Sequence, residues 1–210
     1  METVMALKIY GIPRSRAIRN IWACEEGGVA YDLVRTQWTD GGTRTPEFLR
    51  INPNGTVPAL EDDGFAMFES LAMNLYIAKH KAKGLWPADP RGEGQVFQWT
   101  LWAATELEPA NVGYVVQTVY TPPDKQDPAA IKAAWEKLHK PLGVLDGHLA
   151  GREHLMGGGF TIADLNVASI LMGTWMNKAD FSPWQNASAW LTRCFGRPGA
   201  QRTIAMRAAG

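Results

Sequence analysis

Cysteine is scarce. Cys24 and Cys194 are the two in 210 residues, far apart and in no CxxC or metal-ligand spacing. That excludes a dithiol motif and a cysteine zinc site, and it suits a reducing compartment with both thiols free. His80, His139, His148 and His154 have no metal-ligand spacing either, so no metal is expected. An excess of charge of one sign is also missing: lysine plus arginine equals aspartate plus glutamate, 21 each. No basic stripe neutralises phosphates, so nucleic acid is not an expected partner. No apolar run approaches the ~20 residues that cross a bilayer. The opening METVMALKIY lacks the basic-then-apolar pattern of an export signal. The expectation is a globular, cytoplasmic chain with no membrane partner.

What is present divides into two textures. Up to Lys83, strand-like and helix-like runs alternate: ALKIYGI, SRAIRNIWACEEGG, VAYDLVRT, TPEFLRI, then VPALEDDG with FAMFES, then SLAMNLYIAKHKAK. This reads as βαβ, a short helix, two paired strands and a closing helix, a small mixed sheet flanked by helices. Gly27 and Gly28 can stop the first helix, Thr45-Pro46 offers an N-cap with proline at the first helical position, and Asp63-Gly64 is a hairpin turn. After the Gly/Pro-rich GLWPADPRGEG the period-2 alternation vanishes, and apolar residues recur every three or four positions. Helices are expected through QVFQWTLWAATELEPANVGYVVQ, kinked at Pro109, then PAAIKAAWEKLHKPLGVLDGHLA, ADLNVASILMGTW and PWQNASAWLTRCF. Two domains follow, an α/β one over 5–84 and an all-helical one over 91–210. Thr161 and Asp164 have capping-box spacing, with Phe160 and Leu165 at the staple positions. Such a cap contributes about 1 kcal/mol to folding and needs no ligand to explain it.

The stretch INPNGTVPALEDDGFAMFES carries a proline in a strand-like run. Proline lacks the N–H that a central strand donates, so Pro58 marks a strand start or an open edge. The backbone of Val57 is then free for something else, such as a peptide-like ligand lying as an extra strand.

Taken in order, NPNGTVPAL, FES and FTIADLNVASI resemble the NPxGxVPxL segment, the Glu/Gln-Ser step and the capped C-terminal helix of the cytosolic glutathione transferase superfamily. WAATEL resembles a stretch of its bacterial members. The resemblance covers nearly the whole chain and implies a thioredoxin-like N-terminal domain, an all-helical C-terminal domain, glutathione as co-substrate and a homodimer. It implies a cis Pro58 and pairing of Val57 with the cysteinyl part of glutathione. It implies Ser70 holding the γ-glutamyl carboxylate at a helix start and Glu69 reaching the ammonium. The glycine carboxylate needs a donor as well. Thr56 stands where members often carry Lys, Gln or Arg; Trp38 resembles a tryptophan used for this purpose, and Arg44 is an alternative.

The chemistry this resemblance implies is activation of a thiol. A thiol of pKa ≈ 8.5 is only a few per cent ionised at pH 7. Lowering that pKa by about two units takes roughly 2.7 kcal/mol. One charge-assisted hydrogen bond supplies ~1.5–3 kcal/mol and a helix N-terminus a further ~0.3–1, so one hydroxyl at a helix start suffices. In YGIPRSRAIRN, Ser15 resembles the serine of the serine-type classes and Tyr10 the tyrosine of others; Ser15 joins a hydroxyl to a helix start. No cysteine lies at this turn, which disfavours reductase chemistry, and Cys24 reads as a packing residue. The resemblance places the second, apolar substrate between Ile12-Pro13 and the first C-terminal helix, with Trp102, Glu106 and Tyr114 as candidates beside Trp99. Their helical spacing also suits a core or a dimer interface. Expected activities are conjugation of apolar electrophiles, as in detoxification, or reduction of hydroperoxides. A non-catalytic binding or interaction protein on the same fold is the alternative, suggested by Thr56.

Overall fold

The computed structural model describes residues 7–209. The opening METVMA, on which the export-signal reading rests and which includes the expected start at residue 5, lies outside the described residues. Contacts divide the chain into two compact units, one running to Trp86 and resuming at Arg197, the other spanning Pro87–Gly196. The first is a thioredoxin-like α/β unit and the second is all helix.

In the first unit β1 (Leu7–Gly11) and β2 (Tyr31–Arg35) pair in parallel, while β3 (Ala59–Asp62) and β4 (Phe65–Phe68) run antiparallel, in the sheet order β2-β1-β3-β4. Ile9 faces Leu60 and Tyr10 faces Ala59 across the β1–β3 ladder. Asp63 and Gly64, at φ +49° and +80°, form the tight turn their chemistry predicts. The connection from β1 to β2 is α1 (Ile18–Gly27), which buries Ile18, Ile21, Trp22 and Cys24 and ends on a left-handed Gly28. Thr45 caps α2 (Pro46–Ile51), its Oγ1 accepting from the Phe48 N–H at 3.2 Å, with Pro46 at the first position. The helix α3 (Ser70–His80) packs on α1 and closes the mixed layer.

The second unit holds α4 (Pro90–Trp102), α5 (Glu108–Val115), α6 (Pro128–His148), α7 (Ile162–Met176) and α8 (Gln185–Gly196). Pro109 leaves its mark upstream: the chain passes from α4 to α5 through a π-helical turn over Ala103–Leu107. Proline cannot donate to the carbonyl four residues back, and one inserted residue per turn accommodates this. Leu138, Leu142 and Leu145 form the buried stripe of α6. Apolar nearly all round, α7 is buried along most of its length. Its capping box forms with Asp164 as expected. That carboxylate also accepts from the Leu155 N–H at 2.8 Å and the Trp190 Nε1–H at 2.9 Å, so it joins the helix start to α8.

The expected division differs at its far end. A last helix, α9 (Pro198–Ala209), belongs to the first unit and packs on α1, so residues 197–210 leave the 91–210 domain. Gly199 permits this contact: a Cβ there would lie 2.6–2.9 Å from Glu26 atoms, two of them backbone. Arg197 pairs with Glu26 at 2.7 Å, Arg202 with Glu25 at 2.6 Å, and Arg207 donates to the Pro13 carbonyl at 3.2 Å.

Candidate functional site

Three segments meet at Gly11. Its φ of +149° lies in a region other residues rarely adopt, and a Cβ there would sit 2.6 Å from Ala17 Cβ, 3.3 Å from Ser15 Oγ and 3.6 Å from Val57 Cβ. Only glycine lets the end of β1, the turn into α1 and the residue before Pro58 converge. Ser15 is buried in that turn. Its Oγ donates to the Ile12 carbonyl at 2.8 Å and accepts from the Ala17 N–H at 3.1 Å and the Ile12 N–H at 3.4 Å.

Tyr10 points elsewhere. Its ring stands edge-on to Phe48, and its hydroxyl donates to Glu61 Oε2 at 3.4 Å while Lys8 holds Glu61 Oε1 at 2.8 Å. Burial, and then the Glu61 charge, raise the Tyr10 pKa above the ordinary phenol value. The two candidate hydroxyls therefore face different partners: Ser15 Oγ borders Gly11, as does Val57 Cβ, and the Tyr10 hydroxyl donates to Glu61.

The Val57–Pro58 peptide is cis. Neither the N–H nor the carbonyl of Val57 has a hydrogen-bond partner among the described residues, because the ladder begins at Ala59. The preceding loop is pinned by Asn52, whose Nδ2 donates to the Thr56 carbonyl at 2.7 Å and whose Oδ1 accepts from the Asn54 N–H at 3.0 Å. Gly55, at φ +63°, leaves room for the Arg44 guanidinium: a Cβ would lie 2.6 Å from Nη1. Arg44 thus lies against Gly55, next in sequence to Thr56, while Trp38 stands 50% exposed on the loop after β2.

Across the sheet end, Glu69 is exposed and holds a left-handed φ of +70°, a conformation costing a non-glycine residue about 1–3 kcal/mol. Ser70 then opens α3, and the side chain of its N-cap residue Glu69 makes no capping hydrogen bond. Its Oγ accepts from Arg19 Nη1 at 3.2 Å. Its carbonyl accepts from Asn20 Nδ2 at 2.8 Å, which also donates to Asn74 Oδ1 at 2.7 Å. Asn20 Oδ1 is buried and has no hydrogen-bond partner among the described residues. Arg19, Asn20 and Asn74 are residues that sequence reasoning missed. The available signal was polar side chains on the apolar faces of SRAIRNIWAC and SLAMNLYIA.

Residues expected to meet a second substrate fall in both units. Ile12 and Pro13 are buried in the first. In the second, Trp102 meets Trp99 edge-on at 5.2 Å, Glu106 is exposed on the π-helical turn, and Tyr114 lies 5.1 Å from the Trp135 ring. Burial raises the Tyr114 pKa. Burial likewise pushes the Cys24 thiol up to about 12, the value of a packed, unreactive sulfur. Among the described residues no cluster of His, Cys, Asp and Glu could hold a metal, and no helix is long and apolar enough to cross a membrane.

Comparison with known proteins matches residues 5–79 to the family described as Glutathione S-transferase, N-terminal domain, and 110–198 to Glutathione S-transferase, C-terminal domain. Glutathione S-transferase 4 of Zea mays is 34% identical over 204 residues, covering 94% of this chain and 91% of that protein. Elongation factor 1-gamma of Equus caballus is 35% identical over 161 residues, 74% of this chain; the match spans only 35% of the elongation factor's length. Among solved structures, the theta class glutathione S-transferase from Xanthomonas axonopodis pv. citri, with glutathione bound, superposes with a TM-score of 0.87 at 30% identity, covering 95% of this chain and 97% of that one.

Proposed function

Because the chain belongs to the glutathione S-transferase family, we propose that it binds glutathione along Val57 and activates the thiol with the Ser15 hydroxyl, as a serine-type, bacterial-type member. The observation that carries this reading is the convergence at Gly11, which puts Ser15 Oγ beside an unpaired peptide edge. A cysteinyl backbone pairing with Val57 brings its sulfur to that turn. There the Ser15 O–H turns from the Ile12 carbonyl to sulfur, exchanging a neutral hydrogen bond for a charge-assisted one. The thiol proton leaves to solvent, and the thiolate attacks an electrophilic carbon, forming the S–C bond as the leaving group departs with its electron pair. With a hydroperoxide the same thiolate attacks oxygen; a second glutathione then releases the disulfide, with alcohol and water as the other products.

The glycine carboxylate finds Arg44, and Trp38 is the second donor within this reading. Glu69 takes the ammonium and Ser70 the γ-glutamyl carboxylate. Ile12 and Pro13 receive an apolar electrophile, a detoxification role for a cytoplasmic homodimer. Turnover of glutathione with an aryl halide, an isothiocyanate and a hydroperoxide tests the reading, with calorimetry for glutathione binding. Activity on at least one is expected; no turnover and no binding would overturn it. Sedimentation equilibrium on the same protein is expected to give twice the 23.1 kDa chain mass.

The 161-residue likeness to elongation factor 1-gamma favours a second reading, a binding or interaction protein on the same fold, which the neutral Thr56 also suits. Glutathione binding without turnover would select it.

A further inference from the structure

The helix α6 ends at His148, and the chain turns back through Gly151, whose φ of +71° is left-handed. That turn brings Arg152 and Glu153 to α8. On α8 Asn186, Ala189 and Arg193, spaced three and four residues apart, share one face. Together with Leu149 these residues line a hollow of about 200 Å³ inside the second unit. Sites for drug-sized ligands run to ~300–1,000 Å³, so this one suits something the size of a single amino acid.

Its charges stand side by side without cancelling. Arg193 donates through Nε and Nη2 to the Glu153 carbonyl at 3.2 and 3.0 Å, a neutral acceptor that leaves the guanidinium charge uncompensated. Arg152 makes no ion pair and no side-chain hydrogen bond among the described residues. The Glu153 carboxylate pairs with neither arginine, although one precedes it in the chain and the other holds its carbonyl. Asp146 is already engaged at the start of α8, accepting from Asn186 Nδ2 at 3.2 Å and from the Ala187 N–H at 3.0 Å. The helix start is thus satisfied, and the cations left over at the hollow are the two arginines. Guanidinium forks hold a carboxylate, a carboxylate holds an ammonium, and Leu149 with Ala189 adds apolar surface. A dianion such as phosphate would meet the arginines but also the Glu153 charge.

We propose that this hollow binds a free aliphatic α-amino acid. Its carboxylate lies on Arg152 and Arg193, its ammonium on Glu153 and its side chain on Leu149 and Ala189. None of these residues takes part in holding glutathione, so the two readings fail separately.

The test is an amide-resolved NMR titration of the full chain with four probes: L-leucine, L-leucinamide, which lacks the carboxylate, N-acetyl-L-leucine, which lacks the ammonium, and inorganic phosphate. L-Leucine is expected to shift signals within 149–153 and 186–193 with a Kd of about 0.1–5 mM. Both derivatives are expected to bind at least about 5-fold more weakly. Arg152→Gln, which removes a side chain with no partner in the fold, is expected to weaken L-leucine about 5- to 20-fold and L-leucinamide less than about 2-fold. Glu153→Gln is expected to weaken L-leucine without weakening N-acetyl-L-leucine. No shift with L-leucine, equal binding of either derivative, tighter binding of phosphate than of L-leucine, or an Arg152→Gln protein that binds L-leucine as before overturns the proposal.

Discussion

Ser15 carries a hydrogen that is already in use. It goes to the Ile12 carbonyl at 2.8 Å, a neutral bond worth about 0.5–1.5 kcal/mol net. A thiolate offers ~1.5–3 kcal/mol for the same hydrogen, so the exchange favours sulfur by about one to two kcal/mol. Divided by about 1.36 kcal/mol per pKa unit, that lowers the thiol pKa by about one unit or slightly more. Ser15→Ala is therefore expected to cut kcat/KM about 5- to 30-fold near pH 6.5, and less above the free-thiol pKa, where thiolate forms unaided. Glutathione affinity should change little. Tyr10→Phe should cost less than about 3-fold, since its hydroxyl serves Glu61. Rate profiles from pH 6 to 9 check both; a pH-independent loss in Ser15→Ala, or a larger loss in Tyr10→Phe, contradicts the assignment. The position of Ser15 was legible because a hydroxyl ahead of a helix is a local pattern. Arg19 was not, since its partner Ser70 lies 51 residues away and only the fold brings the two together.

Between elements, β3 and α3 are clamped by Asp62. Its carboxylate accepts from Tyr76 Oη at 2.6 Å and pairs with Lys81 Nζ at 2.7 Å. Burial alone would raise its pKa, but the hydrogen bonds from Lys81 and Tyr76 outweigh that and hold it below the ordinary carboxylate value. A depressed folded-state pKa means stability that is present above the unfolded value of about 3.9 and lost as pH falls through the folded one. Asp62→Asn is expected to cost about 1–3 kcal/mol at pH 7 and to flatten the decline in thermal midpoint between about pH 5 and pH 3. Parallel midpoint-against-pH curves for the two proteins would refute the clamp. At this scale legibility followed local chemistry. The Asp63-Gly64 turn, the Thr45-Pro46 start and the Thr161–Asp164 box were readable because each is written within four residues. The π-helical turn before Pro109 was not, because a kink and an inserted residue answer the same missing N–H. Neither was α9, whose buried positions are Gly199, Ala200 and Thr203. Small residues allow close approach without the apolar stripe that periodicity detects.

For the whole molecule the consequence of α9 is that the first unit is discontinuous in sequence: β1 to α3 is completed by the chain after Arg197. The ordered motifs NPNGTVPAL, FES and FTIADLNVASI made the two-part architecture legible, but no motif marks the returning helix. Its contacts are long-range ion pairs, Arg197 with Glu26 and Arg202 with Glu25, and a glycine laid on backbone. Charge pairs of this kind cannot be assigned until both partners have been placed. Removing residues 197–210 strips Glu26, whose side chain is only 6% exposed, of its arginine. The deletion also uncovers the face of α1 on which α9 packs, so the first unit loses apolar burial together with its ion pairs. The same deletion frees the Pro13 carbonyl from Arg207, so the turn carrying Ser15 loses a restraint. Hydrogen exchange on the truncated chain is therefore expected to show faster exchange throughout α1 and β1 and little change in α7, whose neighbours α4, α5 and α8 are all retained. Unchanged protection in α1, or an equal loss in α7, would mean that α9 is an appendage, with the first unit complete by Trp86.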